Sequence, residues 1–152
     1  MKLFVYSFVS LIVIVGVMLI ALSVTSRKQP ELGLVDGQLQ PCPKTPNCVC
    51  SEYPSSSAWI EPLSYPVPAE KARTRLEQVI EETGGEVTAK KPDYLHAVYK
   101  TPLLRFVDDV EFRLDAAQAV IHVRSASRVG HSDLGANRQR VENIRKRFAE
   151  SR

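Results

Sequence analysis

A nearly continuous apolar run, Leu3 to Val24 (LFVYSFVSLIVIVGVMLIALSV), contains no charge and no proline. No other feature constrains the fold as strongly. About 20 apolar residues suffice to cross a bilayer core as a helix. A cleaved signal peptide carries a shorter apolar region, roughly 7–15 residues. Residues 1–26 are therefore read as an uncleaved single-pass anchor. The triplet Ala21-Leu22-Ser23 has the small-x-small form of a cleavage site, which keeps a cleaved signal as the alternative. Flanking charge barely orients the span, with Lys2 on one side and Arg27 and Lys28 on the other.

The cysteines give a second bearing on orientation. Cys42, Cys48 and Cys50 form C-x5-C-x-C inside PCPKTPNCVC. Zinc would need a fourth ligand from elsewhere, and a thioredoxin-like site needs C-x-x-C at a helix start. The simplest reading is a Cys42–Cys48 disulfide, closing a loop worth roughly 2 kcal/mol in the chain-entropy model. Cys50 is left as a buried thiol, an alternative partner of Cys42, or a reactive group. Closely spaced cysteines suit an oxidising compartment. The amino terminus is accordingly expected inside and the domain outside the cytoplasmic membrane, on its periplasmic side.

Residues 27–40 read as a linker and 41–150 as one α+β domain, a size that buries a core without relying on disulfides. Trp59 to Leu63 reads as a short strand. Apolar positions from Ala69 to Thr83 recur at spacings of three and four, which predicts a helix over 68–83, started by Pro68 and stopped by Gly84-Gly85. GEVTAK, a Lys91-Pro92-Asp93 turn and YLHAVYK read as a hairpin. FVDDVEFRL and AVIHVRSAS read as two further strands. A final helix is expected from Ser132 as N-cap, with Asp133 in its first turn. Leu134, Val141, Ile144 and Phe148 form its apolar stripe. The expected order is β-α-β-β-β-β-α, an antiparallel sheet of four to five strands packed by two helices.

In FVDDVEFRL, Phe106, Val110, Phe112 and Leu114 share one strand face, and Val107, Asp109, Glu111 and Arg113 the other. Asp108 breaks the pattern, because it lies in phase with the apolar set. Placing Leu114 opposite Ala119 sets Asp108 against Ser125, with Ser127 next on that face, and Asp109 against Arg124 as an outer ion pair. The core face thus turns polar at the end that leads into Arg128, His131, Ser132 and Asp133. A buried carboxylate must be paired or hydrogen-bonded. In one reading Asp108, held by Ser125, Arg128 or backbone N–H groups, locks the last helix to the sheet. In the other, Asp108, Ser125, Ser127, Arg128, His131 and Asp133 line a ligand site. His96 and His122 read as structural or exposed.

From Arg124 to Arg152 eight basic residues face three acidic ones, whereas Arg27 to Val123 is net acidic. The basic final helix is a candidate surface for anionic lipid or a protein partner. It lacks interleaved aromatics, so no nucleic-acid partner is expected. No HExxH, GxSxG, P-loop or GxGxxG occurs, and no cofactor or metal is expected.

CPKTPNCVCSE, YLHAVYKTPLLRFVDDVEFRLD and VIHVRSASRVGHSDLGANRQRVENIR resemble the bacterial and plastid family known as domain of unknown function 1499. The resemblance runs from about Gln40 to Phe148, and family members often carry an N-terminal hydrophobic segment. It implies no activity, substrate or cofactor. The family pattern has serine at the position of Cys50. Cys42 and Cys48 match it, which favours their pairing. The expectation is a membrane-anchored envelope protein that binds a small ligand or a partner without catalysis. The alternative is an enzyme, a hydrolase using Asp108 and His131 or a redox protein using Cys50.

Overall fold

The computed structural model describes residues 2–150. Helix α1 (Lys2–Ser26) is long and apolar enough along Phe4–Ser26 to cross a membrane. Its large apolar side chains stand exposed, while Ser23 and Ser26 in the last turn are buried against the rest of the chain.

The remainder is α+β. Four short strands, β1 (Leu34–Val35), β2 (Gln38–Leu39), β3 (Cys48–Cys50) and β4 (Leu63–Ser64), precede α2 (Ala69–Glu82). Then come β5 (Glu86–Lys91), β6 (Tyr94–Lys100), β7 (Val107–Asp115), β8 (Val120–Ser127) and α3 (Ala136–Glu150). One antiparallel sheet runs β3-β8-β7-β6-β5, with β4 also pairing β8. β1 and β2 form a separate hairpin. The sequence underestimates the strands because β3 and β4 are too short to alternate visibly. Trp59 makes only a single bridge to Cys50, and the expected strand there shrinks to β4.

One sheet face holds the apolar core. Leu76, Val79 and Ile80 of α2 and Val141, Ile144 and Phe148 of α3 pack on Leu95, Val110, Phe112 and Val123. Gly84 takes φ 86° to stop α2, and a Cβ on Gly85 would fall 2.5 Å from the Tyr99 ring. Only glycine allows β5 to start so close to that ring.

The β7–β8 register lies two residues from the expected one. Leu114 faces Ile121, Phe112 faces Val123, Val110 faces Ser125 and Asp108 faces Ser127. Both registers keep every side chain on its expected face, since a two-residue shift preserves parity. The shift replaces the expected Asp109–Arg124 pair with Glu111–Arg124, whose Nη1 and Oε2 lie 3.0 Å apart.

The second sheet face is not a solvated one. Asp109 and Glu111, expected to point outward, are buried, as is His96. Residues 27–40, read as a linker, supply the cover. Leu39 is fully buried with Cys50 and Tyr94, and the Gly33 N–H donates to Glu111 Oε1 at 2.9 Å. Beneath this cover the charges pair. The Tyr94 hydroxyl donates to Glu111 at 2.7 Å, and the Arg128 guanidinium binds Asp109 through two parallel bonds of 2.8 and 2.7 Å. Such fork-to-carboxylate contacts are the strong form of the ion pair.

Candidate functional site

Strand parity delivers Asp108 to the core face, as the sequence predicts, and leaves it 5% exposed. Its partner is Arg140 of α3, through Nη2, and not Arg128. Arg128 follows Ser127, so it projects from the opposite face and cannot reach Asp108. Arg140 Nη1 also donates to Ser125 Oγ at 3.1 Å and to Asn137 Oδ1 at 2.6 Å. Asn137 is fully buried. Its amide donates to the Asn47 carbonyl at 2.9 Å and to Ser127 Oγ at 3.0 Å, which ties α3, β8 and the disulfide loop together. Arg140 and Asn137 were missed from the sequence because both sit among the helix's other polar residues. Their spacing of three was the available signal, since it places them on one helical face.

The start of α3 also differs from expectation. Asp133, not Ser132, caps the helix, accepting from the N–H groups of Gly135 at 2.9 Å and Asn137 at 2.7 Å. Burial pushes the Asp133 carboxyl up, but these donors outweigh it and hold it below the ordinary range. Leu134 takes φ 54° and is 92% exposed, so it leaves the apolar stripe. His131 is exposed and does not join the cluster.

Asp108, Ser127 and Asp133 meet at a cleft of about 250 Å³. Phe106, Val129 and Leu22 complete much of its wall, and Leu22 belongs to α1. The helix is held there by its own last turn. Ser23 Oγ donates to the Leu104 carbonyl. Ser26 Oγ accepts from the Val107 N–H at 3.2 Å. Arg128 Nη1 donates to the carbonyls of Ser26 at 3.3 Å and Arg27 at 3.1 Å. A cation on otherwise unpaired C-terminal carbonyls is a favourable helix end. Behind Arg128, Asp109 also accepts from His96 Nε2 at 2.8 Å. Burial raises the Asp109 carboxyl, yet the bonds from His96 and Arg128 prevail and lower it below its ordinary value.

A larger groove of about 680 Å³ lies between the disulfide loop and the start of α3, sharing only Asp133 with the cleft. Its guanidinium, Arg138, is engaged by the Trp59 carbonyl at 3.0 Å.

Cys42 and Cys48 form a disulfide, and Cys50 is a buried free thiol. Burial pushes the Cys50 thiol up, so little thiolate forms at neutral pH. The Ser51 hydroxyl lies 3.2 Å from His122 Nδ1, a pair the sequence reading did not single out. Ser51 is 3% exposed and its oxygen accepts from the Val123 N–H at 2.8 Å, so the contact staples β3 to β8. Among the described residues no group of three or more His, Cys, Asp or Glu side chains is arranged to hold a metal ion.

Of the basic residues of α3, Arg140 and Arg145 are half-buried, whereas Arg138, Lys146 and Arg147 stand exposed. Arg145 donates to the carbonyls of Pro62 at 2.7 Å and Glu61 at 2.6 Å, and Lys146 stands 4.0 Å from Glu150. No functionally curated protein matches the chain. A family model matches residues 38–148, from β2 to the last turn of α3, and the chain belongs to that family, described as protein of unknown function (DUF1499).

Proposed function

We propose that the chain is a membrane-anchored binding module that takes a small or amphipathic ligand into the cleft at the polar end of its sheet, without catalysis. The carrying observation is the composition of that cleft. Leu22 of the membrane-length helix and the polar side chains of Thr101, Asp108, Ser127, Ser132 and Asp133 wall the same space. Ligand sites combine an apolar lining with a few convergent polar groups. At about 250 Å³ the cleft falls below the roughly 300–1,000 Å³ typical of drug-sized ligands, so it suits a small molecule or one part of a larger amphiphile. The disulfide supports a domain on the oxidising, periplasmic side of the cytoplasmic membrane.

The chemistry at hand fits binding better than catalysis. Asp108 is engaged by Arg140 and no hydrogen bond joins it to His131. A buried thiol of raised pKa is a poor nucleophile.

The test is native mass spectrometry of the full chain extracted into nanodiscs with its own membrane lipid. The expected result is a discrete co-purifying mass on the wild-type chain that is lost from Val129→Trp, whose indole fills the cleft. A mass retained equally by both forms, or none on either, overturns the proposal.

A further inference from the structure

We propose that the loop from Thr101 to Arg105 is embedded in the lipid–water interface, as a second membrane contact beside α1. The inference rests on the reading of α1 as a membrane span and adds to it the depth of the domain. Residues 4–22 precede the buried serines, and at 1.5 Å per residue they extend about 28 Å. That length matches a hydrocarbon core of about 30 Å and sets the core boundary near Leu22 and Ser23. Ser23 is the residue bonded to the Leu104 carbonyl. The loop is therefore fixed at the depth where the hydrocarbon ends.

Its composition agrees with that depth. Leu103 is 88% exposed, one of only two domain leucines left fully outside the fold among the described residues, the other being Leu134. A large apolar side chain standing in water is unfavourable, whereas the interface accepts it. Arg105 follows, exposed and in the left-handed region at φ 57°. Arg27 and Lys28 leave α1 at the same level, and both are exposed. Apolar residues flanked by cations on one rim are the pattern that binds an anionic interface. The loop is also closed on itself, since the Thr101 N–H donates to the Phe106 carbonyl at 2.9 Å and the Arg105 N–H to the Thr101 carbonyl at 3.1 Å. It meets the bilayer as a preformed tip. Phe106 and Leu22 then set the mouth of the cleft at headgroup level.

The experiment uses the full chain in vesicles of phosphatidylcholine and phosphatidylglycerol whose acyl chains carry bromine near the headgroup. The tryptophan background is removed with Trp59→Phe. Leu103→Trp reports the loop, Ala117→Trp reports the exposed turn at the far end of the sheet, and Val9→Trp reports the helix. The expected result is blue-shifted emission and strong bromine quenching for Leu103→Trp and Val9→Trp, with red, unquenched emission for Ala117→Trp. Quenching of Val9→Trp alone overturns the loop proposal while the anchor stands. Loss of quenching at Val9→Trp overturns the anchor and the loop together. A blue shift at Leu103→Trp without bromine quenching assigns the loop to a protein contact and also overturns the lipid assignment.

Discussion

Replacing Arg140 by alanine tests how α3 is locked to the sheet. The substitution removes the partner of Asp108, together with the bonds to Ser125 and Asn137 and the guanidinium stacked 4.9 Å over the Tyr99 ring. It leaves a carboxylate that is 6% exposed with no counter-charge. Breaking a buried pair from one side costs about 3–5 kcal/mol. The Arg140 side chain is 15% exposed, so water reaches the vacated space and the lower end, about 3 kcal/mol, is expected. At roughly 4 °C per kcal/mol for a domain of this size, the melting temperature should fall by about 12 °C. Asp108→Asn keeps a hydrogen-bonding oxygen and should cost only about 1–2 kcal/mol. In the double variant Arg140→Ala with Asp108→Asn the buried charge is gone, so the loss should be smaller than the two single losses added. Trp59, the single tryptophan, reports unfolding of the full chain in micelles. Additive losses, or an Arg140→Ala cost within about 0.5 kcal/mol of zero, the range of neutral surface substitutions, would refute the account of this pair.

Other outcomes follow from the same contacts. In native protein Cys50 should resist alkylation at pH 8, appearing as one thiol on denaturation and as three thiols only after reduction as well; rapid native labelling contradicts its burial. Cys42→Ser opens the disulfide loop and should lower stability by about 2 kcal/mol in the same unfolding assay. Arg128→Ala removes both the bidentate partner of Asp109 and the contact to the end of α1, so hydrogen exchange at residues 24–34 should accelerate well before the core does. Acid should destabilise the protein in two windows. Burial holds His122 below its usual value, so the unfolded chain takes up its proton first and stability falls as the pH drops below about 6.5. Asp109 and Asp133 are held low in the fold, so their contributions are complete above about pH 4 and lost as the pH falls further. His122→Asn should remove the first window alone.

Much of this was legible in the chain because strand parity is a strong signal. Asp108 in phase with Val110 and Phe112 is enough to place it on the core face, and that placement holds in either register. The register itself was not legible. Val110 and Phe112 find acceptable partners opposite Val123 and Ile121, or two residues away, and the turn sequence does not choose between them. Grouping Arg128 with Asp108 misses that the same parity, carried one residue past β8, puts it on the other face, where it binds Asp109. What parity cannot tell is whether a polar face is wet. Asp109, Glu111 and His96 look like a solvated face, and become a buried layer only because residues 27–39 fold across them. That cover has no periodicity to announce it. Its stability comes from Leu39 and the Gly33–Glu111 bond, whose partners lie 78 residues apart in sequence. The cleft was half legible for the same reason. Asp108, Ser127 and Asp133 could be grouped from the sequence, whereas Leu22 could not, since nothing in an apolar run marks the turn that docks on a domain.

The joint claim of a helix docked on the domain and a ligand held at the junction is tested most directly by a photoreactive diazirine amino acid at Leu22, in the full chain within its native membrane. Illumination should join position 22 to residues 101–106 or 127–136 of the same chain, and should also yield an adduct of one discrete small mass. Capture of bulk lipid alone, with no crosslink inside the chain, would contradict the account.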